Sequence, residues 1–434
     1  MAEMLTLTAA FVFVLLALYV LGVPVAYAIG LSSVLVMVLP LGPPFNAQVI
    51  AQRMYTGMNS FTLLAIPFFL FAGRIMNAIG MTSDIFDFAE EAVGPLPGGL
   101  GHVNVVVSMI FSGMSGAAVA DAAGLGTIEY EAMTDRGYQP KFAAGITAAS
   151  STIGPIIPPS IPMIVYGVAA QVSIGALFIA GIVPGVLMGL SLMGMVSYIA
   201  IREGFASRDA YNARKLLSSL VRAIPAFVAP VIIIGGIISG FFTPTESAVV
   251  AVLYAIFLGT FYYRALDGPT LFSVMKKTFI DTAALILIIG IANLYGFLVT
   301  ISGVPRYLTD TLLTVADGAL GATLLLVFVL IIFGTFMETL AIILITVPIL
   351  APTFPGLGID PLVFGIVMMI TLMIGLITPP FGVVLFVMER VTNLDLLDII
   401  KGVGPFYIPL VAVLLLIIFV PEVVLFLPKM FGFA

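Results

Sequence analysis

Two seven-residue stretches, Ile153-Gly154-Pro155-Ile156-Ile157-Pro158-Pro159 and Ile374-Gly375-Leu376-Ile377-Thr378-Pro379-Pro380, nearly repeat one another at an offset of 221 residues, each inside a long apolar segment. A helix that crosses a bilayer must satisfy its own backbone. Glycine and paired prolines at that depth are tolerated only where protein or a polar cavity takes over the freed groups. Interruptions at corresponding places in two halves of a chain point to a substrate and ion site of a transporter.

The composition leaves no room for a water-soluble alternative. Of 434 residues, 61% are hydrophobic and 9% charged, and the mean hydropathy is +1.24, too little polar surface to enclose a core in water. The chain reads as a polytopic membrane protein embedded in the lipid bilayer. The absence of cysteine excludes disulfides, thiolate metal sites and cysteine nucleophiles. The net charge of -6 gives no sign of nucleic acid as a partner. There is no Walker-type phosphate loop, so energy must come from an ion gradient or a partner. The start, Met1-Ala2-Glu3-Met4, has no basic segment ahead of the apolar run at 5–21, which reads as a retained span rather than a cleaved signal.

Apolar runs long enough to cross about 30 Å of hydrocarbon lie near 5–21, 24–40, 61–80, 139–170, 173–200, 223–242, 246–263, 279–300, 361–390 and 405–428. Two further apolar regions, 103–133 and 320–351, are split by Ser112-Gly113-Met114-Ser115-Gly116 and by Gly334-Thr335. Arms of roughly ten residues, too short to span, suit re-entrant hairpins that enter and leave on one side. With ten crossings and the N-terminus outside, 13 Lys and Arg residues fall inside and only Arg53, Arg306 and Lys429 outside. Counting either hairpin as a crossing scatters the positive charge over both faces, against the positive-inside rule. Both termini are then periplasmic.

The first half therefore begins outside and the second inside, the definition of inverted-topology repeats. The first repeat covers 1–200, with hairpin 101–133 and broken helix 139–170. A connecting loop at 201–222 follows, placed on the cytoplasmic side. The second repeat covers 223–434, with hairpin 320–351 and broken helix 361–390. Phe111 precedes the first tip as Phe333 precedes the second. Mixed polar and apolar segments, Ser83 to Glu91 and Arg306 to Asp317, suit helices lying along the interface.

The tips and breaks carry the chemistry. Ser112 to Gly116 with Ser150, Ser151, Thr152 and the break at Gly154 to Pro159 offer neutral oxygens, as do Gly334 to Thr339 with Gly375 to Pro380 and Thr378. Hydroxyls and unwound carbonyls are hard donors for a small hard cation such as sodium, and half-helix N-termini favour a carboxylate. The bland alternative is close helix packing by small residues. It does not explain a proline pair in mid-segment in both halves.

Ionisable residues inside apolar segments default to functional hypotheses. Asp121 and Glu338, next to the tips, are candidate coupling carboxylates that tune cation affinity or carry protons. Glu246 reads as a first-turn carboxylate, and Asp281 has an equally structural reading. His102, the single histidine, lacks a partner at metal spacing. No nucleophile and base pair or metal constellation suggests an enzyme, and no selectivity-filter repeat suggests a channel.

At these residues the chain resembles the large membrane subunit of the tripartite ATP-independent periplasmic (TRAP) transporters, and more distantly the sodium-coupled divalent anion symporters. The resemblance covers essentially the whole chain. Phe111 to Asp121, Ser151 to Ser160, Phe242-Thr243-Pro244-Thr245-Glu246 and Gly375 to Gly382 carry it. It implies a secondary transporter of the bacterial inner membrane with an elevator mechanism. Sodium would drive import of a carboxylate (a dicarboxylate, sialic acid or similar acid) delivered by a periplasmic solute-binding protein, with a small membrane subunit completing the complex. A stand-alone symporter or exchanger of the same fold is the alternative.

The resemblance further implies a first sodium site at Ser112, Ser115, Gly116, Ser151, Thr152 and Gly154, and a second at Gly334, Thr335, Met337, Gly375, Thr378 and Pro379. The carboxylate would lie between the tips, near Ser112, Gly113, Ser151, Pro155, Thr335 and Thr378. No basic residue is clearly assigned to it. Arg390 is a weaker candidate, because with Glu389 it fits an inner-face anchor.

Overall fold

A computed structural model describes residues 13–15, 17–19, 21–38, 45–204, 211–316 and 318–433, without the side chains of 113–115. Every regular element among them is helical. The first half holds α1 (Val25–Val38), α2 (Ala47–Met58), α3 (Ala65–Ala78), α4 (Met81–Val93), α5 (Gly99–Ser115), α6 (Ala118–Asp135), α7 (Pro140–Ser151), α8 (Ile161–Ala170) and α9 (Ile174–Glu203). The second holds α10 (Ala213–Ile238), α11 (Pro244–Phe257), α12 (Gly268–Ile301), α13 (Val304–Val315), α14 (Gly318–Phe336), α15 (Thr339–Leu350), α16 (Phe354–Leu357), α17 (Pro361–Leu376), α18 (Val383–Thr392), α19 (Leu396–Val403), α20 (Tyr407–Phe419) and α21 (Glu422–Met430).

Each half contains a hairpin followed by a broken helix: α5/α6 then α7/α8, and α14/α15 then α17/α18. The two sets interlock. The first hairpin arm packs on its own broken helix, α5 on α7 and α14 on α17, as α6 does on α7, and the second arm also reaches the other repeat, α6 to α18 and α15 to α8. The core lies here: 14 of the 16 residues of α17 are buried. Around it, α12 packs on α1, α2 and α3, α11 on α3, and α10 on α4.

The amphipathic helix α4 ties the two parts together through its acidic face. Asp84 accepts from the Tyr263 hydroxyl at 2.7 Å, Asp87 lies 3.5 Å from Arg222, and Glu90 pairs with Arg136 just past the end of α6. Helix α4 covers the first segment expected along the interface and α13 covers the second as far as Val315, with Asp317 outside the described residues.

Eight helical stretches among the described residues are long and apolar enough to cross a membrane. They do not coincide with the ten expected runs. The run at 5–21 lies mostly outside the described residues, and the two broken helices divide into pieces too short to count. Hairpin arms are longer than roughly ten residues: α5 has 17 and α14 has 19, and α14 is itself among the eight by length. The run at 405–428 is interrupted at Val420 and Pro421, since proline cannot continue the hydrogen-bond ladder. Helix α12 begins at Gly268, well before the expected 279, because the Asp267 carboxylate caps it by accepting from the Thr270 N–H at 2.9 Å. Helix α2, over residues expected to link two spans, starts where Asn46 accepts from the Gln48 N–H. Most of the connecting loop at 201–222 is also helical: α9 ends at Glu203 and α10 starts at Ala213, with 205–210 outside the described residues.

Candidate ion and substrate site

The first tip forms because Gly116 takes a left-handed conformation, φ 61°, and Ala117 is extended before α6 begins. A β-carbon on Gly116 would stand 2.9 Å from the Pro159 carbonyl oxygen and 3.4 Å from the Ile161 nitrogen. Only glycine lets the tip meet the break backbone to backbone. The break itself turns after Ser151: the N–H groups of Ile153 and Gly154 donate to Ser150 and Ser151 carbonyls at 2.9 and 3.2 Å. Ser160 then caps α8, accepting from the Met163 N–H at 3.3 Å.

The second tip meets its own break even more closely. A β-carbon on Gly375 would lie 2.7 Å from Gly334 Cα and 2.8 Å from its carbonyl carbon. The Gly382 N–H donates to the Thr335 carbonyl oxygen at 2.9 Å. The break is braced from α20, where the Tyr407 hydroxyl donates to the Ile377 carbonyl. Both proline pairs, Pro158–Pro159 and Pro379–Pro380, are cis.

The site hydroxyls share one arrangement. Ser112 donates to the Met109 carbonyl at 2.7 Å, Ser151 to Ala148 at 2.9 Å, and Thr152 to Ala149. In the second half Thr335 donates to Ile332 at 2.8 Å and Thr378 to Ile374 at 2.6 Å. Each proton is thus spent on its own helix, which leaves the oxygen lone pairs to accept. Four of these residues are buried and Thr378 is half-buried. Neutral oxygens of this kind fit a hard cation. Gly154, Pro155 and Met337 are buried beside them and Pro379 is partly so. Gly113 lies in the last turn of α5, and the Ser115 side chain lies outside the described residues.

Two buried carboxylates stand behind the first tip. Asp121 is 2% exposed, and neither of its oxygens has a hydrogen-bond partner among the described residues. The Ser108 hydroxyl acts on it without completing a bond. A β-carbon on Gly154 would be 3.9 Å from Asp121 Oδ2, so the carboxylate faces the break. Glu129, which sequence reasoning passed over, is equally buried with Oε1 unpartnered. It belongs to the same buried stripe of α6 as Asp121, Leu125 and Met133, and the helical period alone could have found it. Also unforeseen was a polar bridge from α5 to α7. Asn104 donates to the Thr147 hydroxyl at 2.7 Å and accepts from the Ser150 hydroxyl at 2.6 Å.

Glu338 differs from Asp121: it caps α15, accepting from the N–H groups of Leu340 at 3.0 Å and Ala341 at 3.4 Å. Glu246 closes a capping box with Thr243, and Asp281 pairs with Arg74. His102 bonds the Pro97 carbonyl at 2.9 Å and the Ser197 hydroxyl at 3.2 Å. Arg390 is exposed in the last turn of α18.

The sequence profile described as "Tripartite ATP-independent periplasmic transporter, DctM component" matches residues 12–423. The chain belongs to this family. It is 42% identical over 410 residues to the "Sialic acid TRAP transporter large permease protein SiaM" of Vibrio cholerae, covering 94% of this chain and 96% of that protein. It is 38% identical over 406 residues to the "2,3-diketo-L-gulonate TRAP transporter large permease protein YiaN" of Escherichia coli, covering 93% and 95%. The "C4-dicarboxylate TRAP transporter large permease protein DctM" of Pseudomonas aeruginosa is 38% identical over 405 residues, covering 93% and 94%. In fold it is similar to the YdaH transporter of Alcanivorax borkumensis, with a TM-score of 0.60 at 15% identity over 95% of this chain and 98% of that one. This DctM-family chain is therefore a transporter permease with multiple membrane helices.

Proposed function

We propose that this permease uses a sodium gradient to import a carboxylate solute across the bacterial inner membrane. It works with a small membrane subunit and a periplasmic binding protein that delivers the solute. The observation that carries the reading is the pair of tip-to-break junctions, Gly116 on Pro159 to Ile161 and Gly334 on Gly375. Each is lined by hydroxyls whose lone pairs remain available.

One sodium ion binds at the first junction, through Ser112, Ser115, Gly116, Ser151, Thr152 and Gly154. Another binds at the second, through Gly334, Thr335, Met337, Gly375, Thr378 and Pro379. Asp121 supplies negative charge behind the first junction. Glu338, already engaged as a cap, acts on the second through the orientation of α15. The solute carboxylate sits between the tips, near Ser112, Gly113, Ser151, Pro155, Thr335 and Thr378, held by hydroxyls and free N–H groups. The relatives' names, sialic acid, 2,3-diketo-L-gulonate and C4-dicarboxylate, support an organic acid as cargo.

The interlocked hairpins and broken helices move as one block, elevator-fashion, against the helices α1 to α3 and α10 to α12. Mutual packing of α6 on α18 and α15 on α8 supports movement as a unit. The charge distribution supports periplasmic termini. The test is uptake into proteoliposomes containing the chain, its small subunit and the binding protein. An imposed sodium gradient should drive accumulation, and uptake that proceeds unchanged without it contradicts the proposal. Uptake without the binding protein favours a stand-alone symporter or exchanger.

A further inference from the structure

A cavity of about 560 Å³ lies away from both junctions, between α2 and α12 on one side and α8 and α15 on the other. It therefore lies at the boundary between the surrounding helices and the interlocked block, beside the direct contact of α12 with α15. Its walls include Val165, Leu344 and Pro348, and its polar groups are Arg53, Gln171, Asn293 and Thr300. Among the described residues, Arg53 is the one charged side chain lining it. The guanidinium stacks over the Phe297 ring, 3.8 Å from its centroid, and no carboxylate among the described residues pairs with it. Stacking occupies the face of a guanidinium and leaves its N–H edges free for a planar anion. Asn293, Phe297 and Thr300 repeat at i, i+4 and i+7, so one stripe of α12 faces the arginine.

Position adds to this. The cavity touches the last turn of α8, including Gln171 just beyond it, and the end of α15 at Pro348 to Pro352. Those ends share Arg53's side of the membrane in the charge-derived topology, the side on which solute arrives. A single unpaired cation in a recess with apolar walls concentrates anions, because low-dielectric walls focus its field.

We propose that this cavity is a loading vestibule, in which the acidic group of the incoming solute docks on Arg53 before the solute reaches the tips. The inference rests on the transport reading for its role and on Arg53 for its chemistry. The chain's lack of cysteine makes the chemistry directly measurable. In Thr300→Cys, with Arg53 intact, an anionic methanethiosulfonate (ethylsulfonate) should label the thiol about tenfold faster than its cationic trimethylammonium counterpart, from local anion enrichment. Adding Arg53→Gln should bring the two rates within about twofold, and Arg53→Lys should keep part of the preference, as charge enrichment requires. Equal rates with Arg53 intact, or an unreactive thiol, overturn the proposal without any Arg53 variant being needed. In proteoliposomes, labelling Thr300→Cys with the anionic reagent should slow uptake, and unchanged uptake after complete labelling also overturns it. Loss of sodium dependence in unmodified protein strikes the transport reading and leaves the labelling result standing.

Discussion

Substituting Gly375 by alanine tests the second junction at its tightest point. The new methyl would stand 2.7 Å from Gly334 Cα, 2.8 Å from its carbonyl carbon and 3.2 Å from its oxygen. Ordinary contact begins near 3.4 Å, so α14 and α17 must part by at least about 0.7 Å. Both obstacles are backbone, and no side-chain rotation relieves them. Overpacking of this kind costs about 1–3 kcal/mol. Its functional cost is larger, because a donor set displaced by about 1 Å loses on the order of a hundredfold in a geometry-dependent step. Gly375→Ala should therefore raise the sodium concentration for half-maximal uptake by about tenfold or more, with protein still in the membrane. Gly194→Ala is the control: a β-carbon there has nothing within 4 Å, and sodium dependence should not change. If Gly375→Ala reaches the membrane folded and takes up solute with unchanged sodium dependence, the junction is packing and not an ion site.

Two further substitutions separate charge from packing. Asp121→Asn removes a buried carboxylate with no hydrogen-bond partner on either oxygen among the described residues. It should raise the melting temperature in sodium-free detergent by a few degrees, since an uncompensated buried charge is lost, while weakening sodium affinity. A lower melting temperature contradicts this reading of Asp121. Asn104→Ala leaves the Thr147 hydroxyl without its donor and the Ser150 hydroxyl with only the Thr147 carbonyl to bond, and should destabilise by about 1–3 kcal/mol. A melting temperature equal to that of the parent refutes it.

Proline pairs and glycines in apolar runs are local signals, and the two breaks were legible for that reason. The chain positions of the tips were legible too, because small polar residues cannot continue an apolar arm. The contacts between tip and break were not, because Gly334 meets Gly375 across 41 residues of chain and nothing local to either announces it. Apolar run length proved a poor guide to helix length. Caps at Asn46 and Asp267 start helices inside polar stretches, and Pro421 divides an otherwise continuous run. Glu338 reads as an isolated charge beside a tip, yet it points into the first turn of its own helix. The exchange of partners between the two repeats, α6 to α18 and α15 to α8, is a property of the packed molecule alone.

Direct sodium binding tests the central claim most closely. Radioactive sodium binding to the purified protein should saturate at two sites. Ser112→Ala and Thr378→Ala should each abolish one of them while leaving melting behaviour nearly unchanged, because each hydroxyl donates to its own helix carbonyl and Tyr407, which also meets Thr378, keeps its bond to the Ile377 carbonyl. Thr378→Ser, which keeps the oxygen, should retain both. Binding unaltered in both alanine variants, or no saturable sodium binding in the parent, contradicts the account.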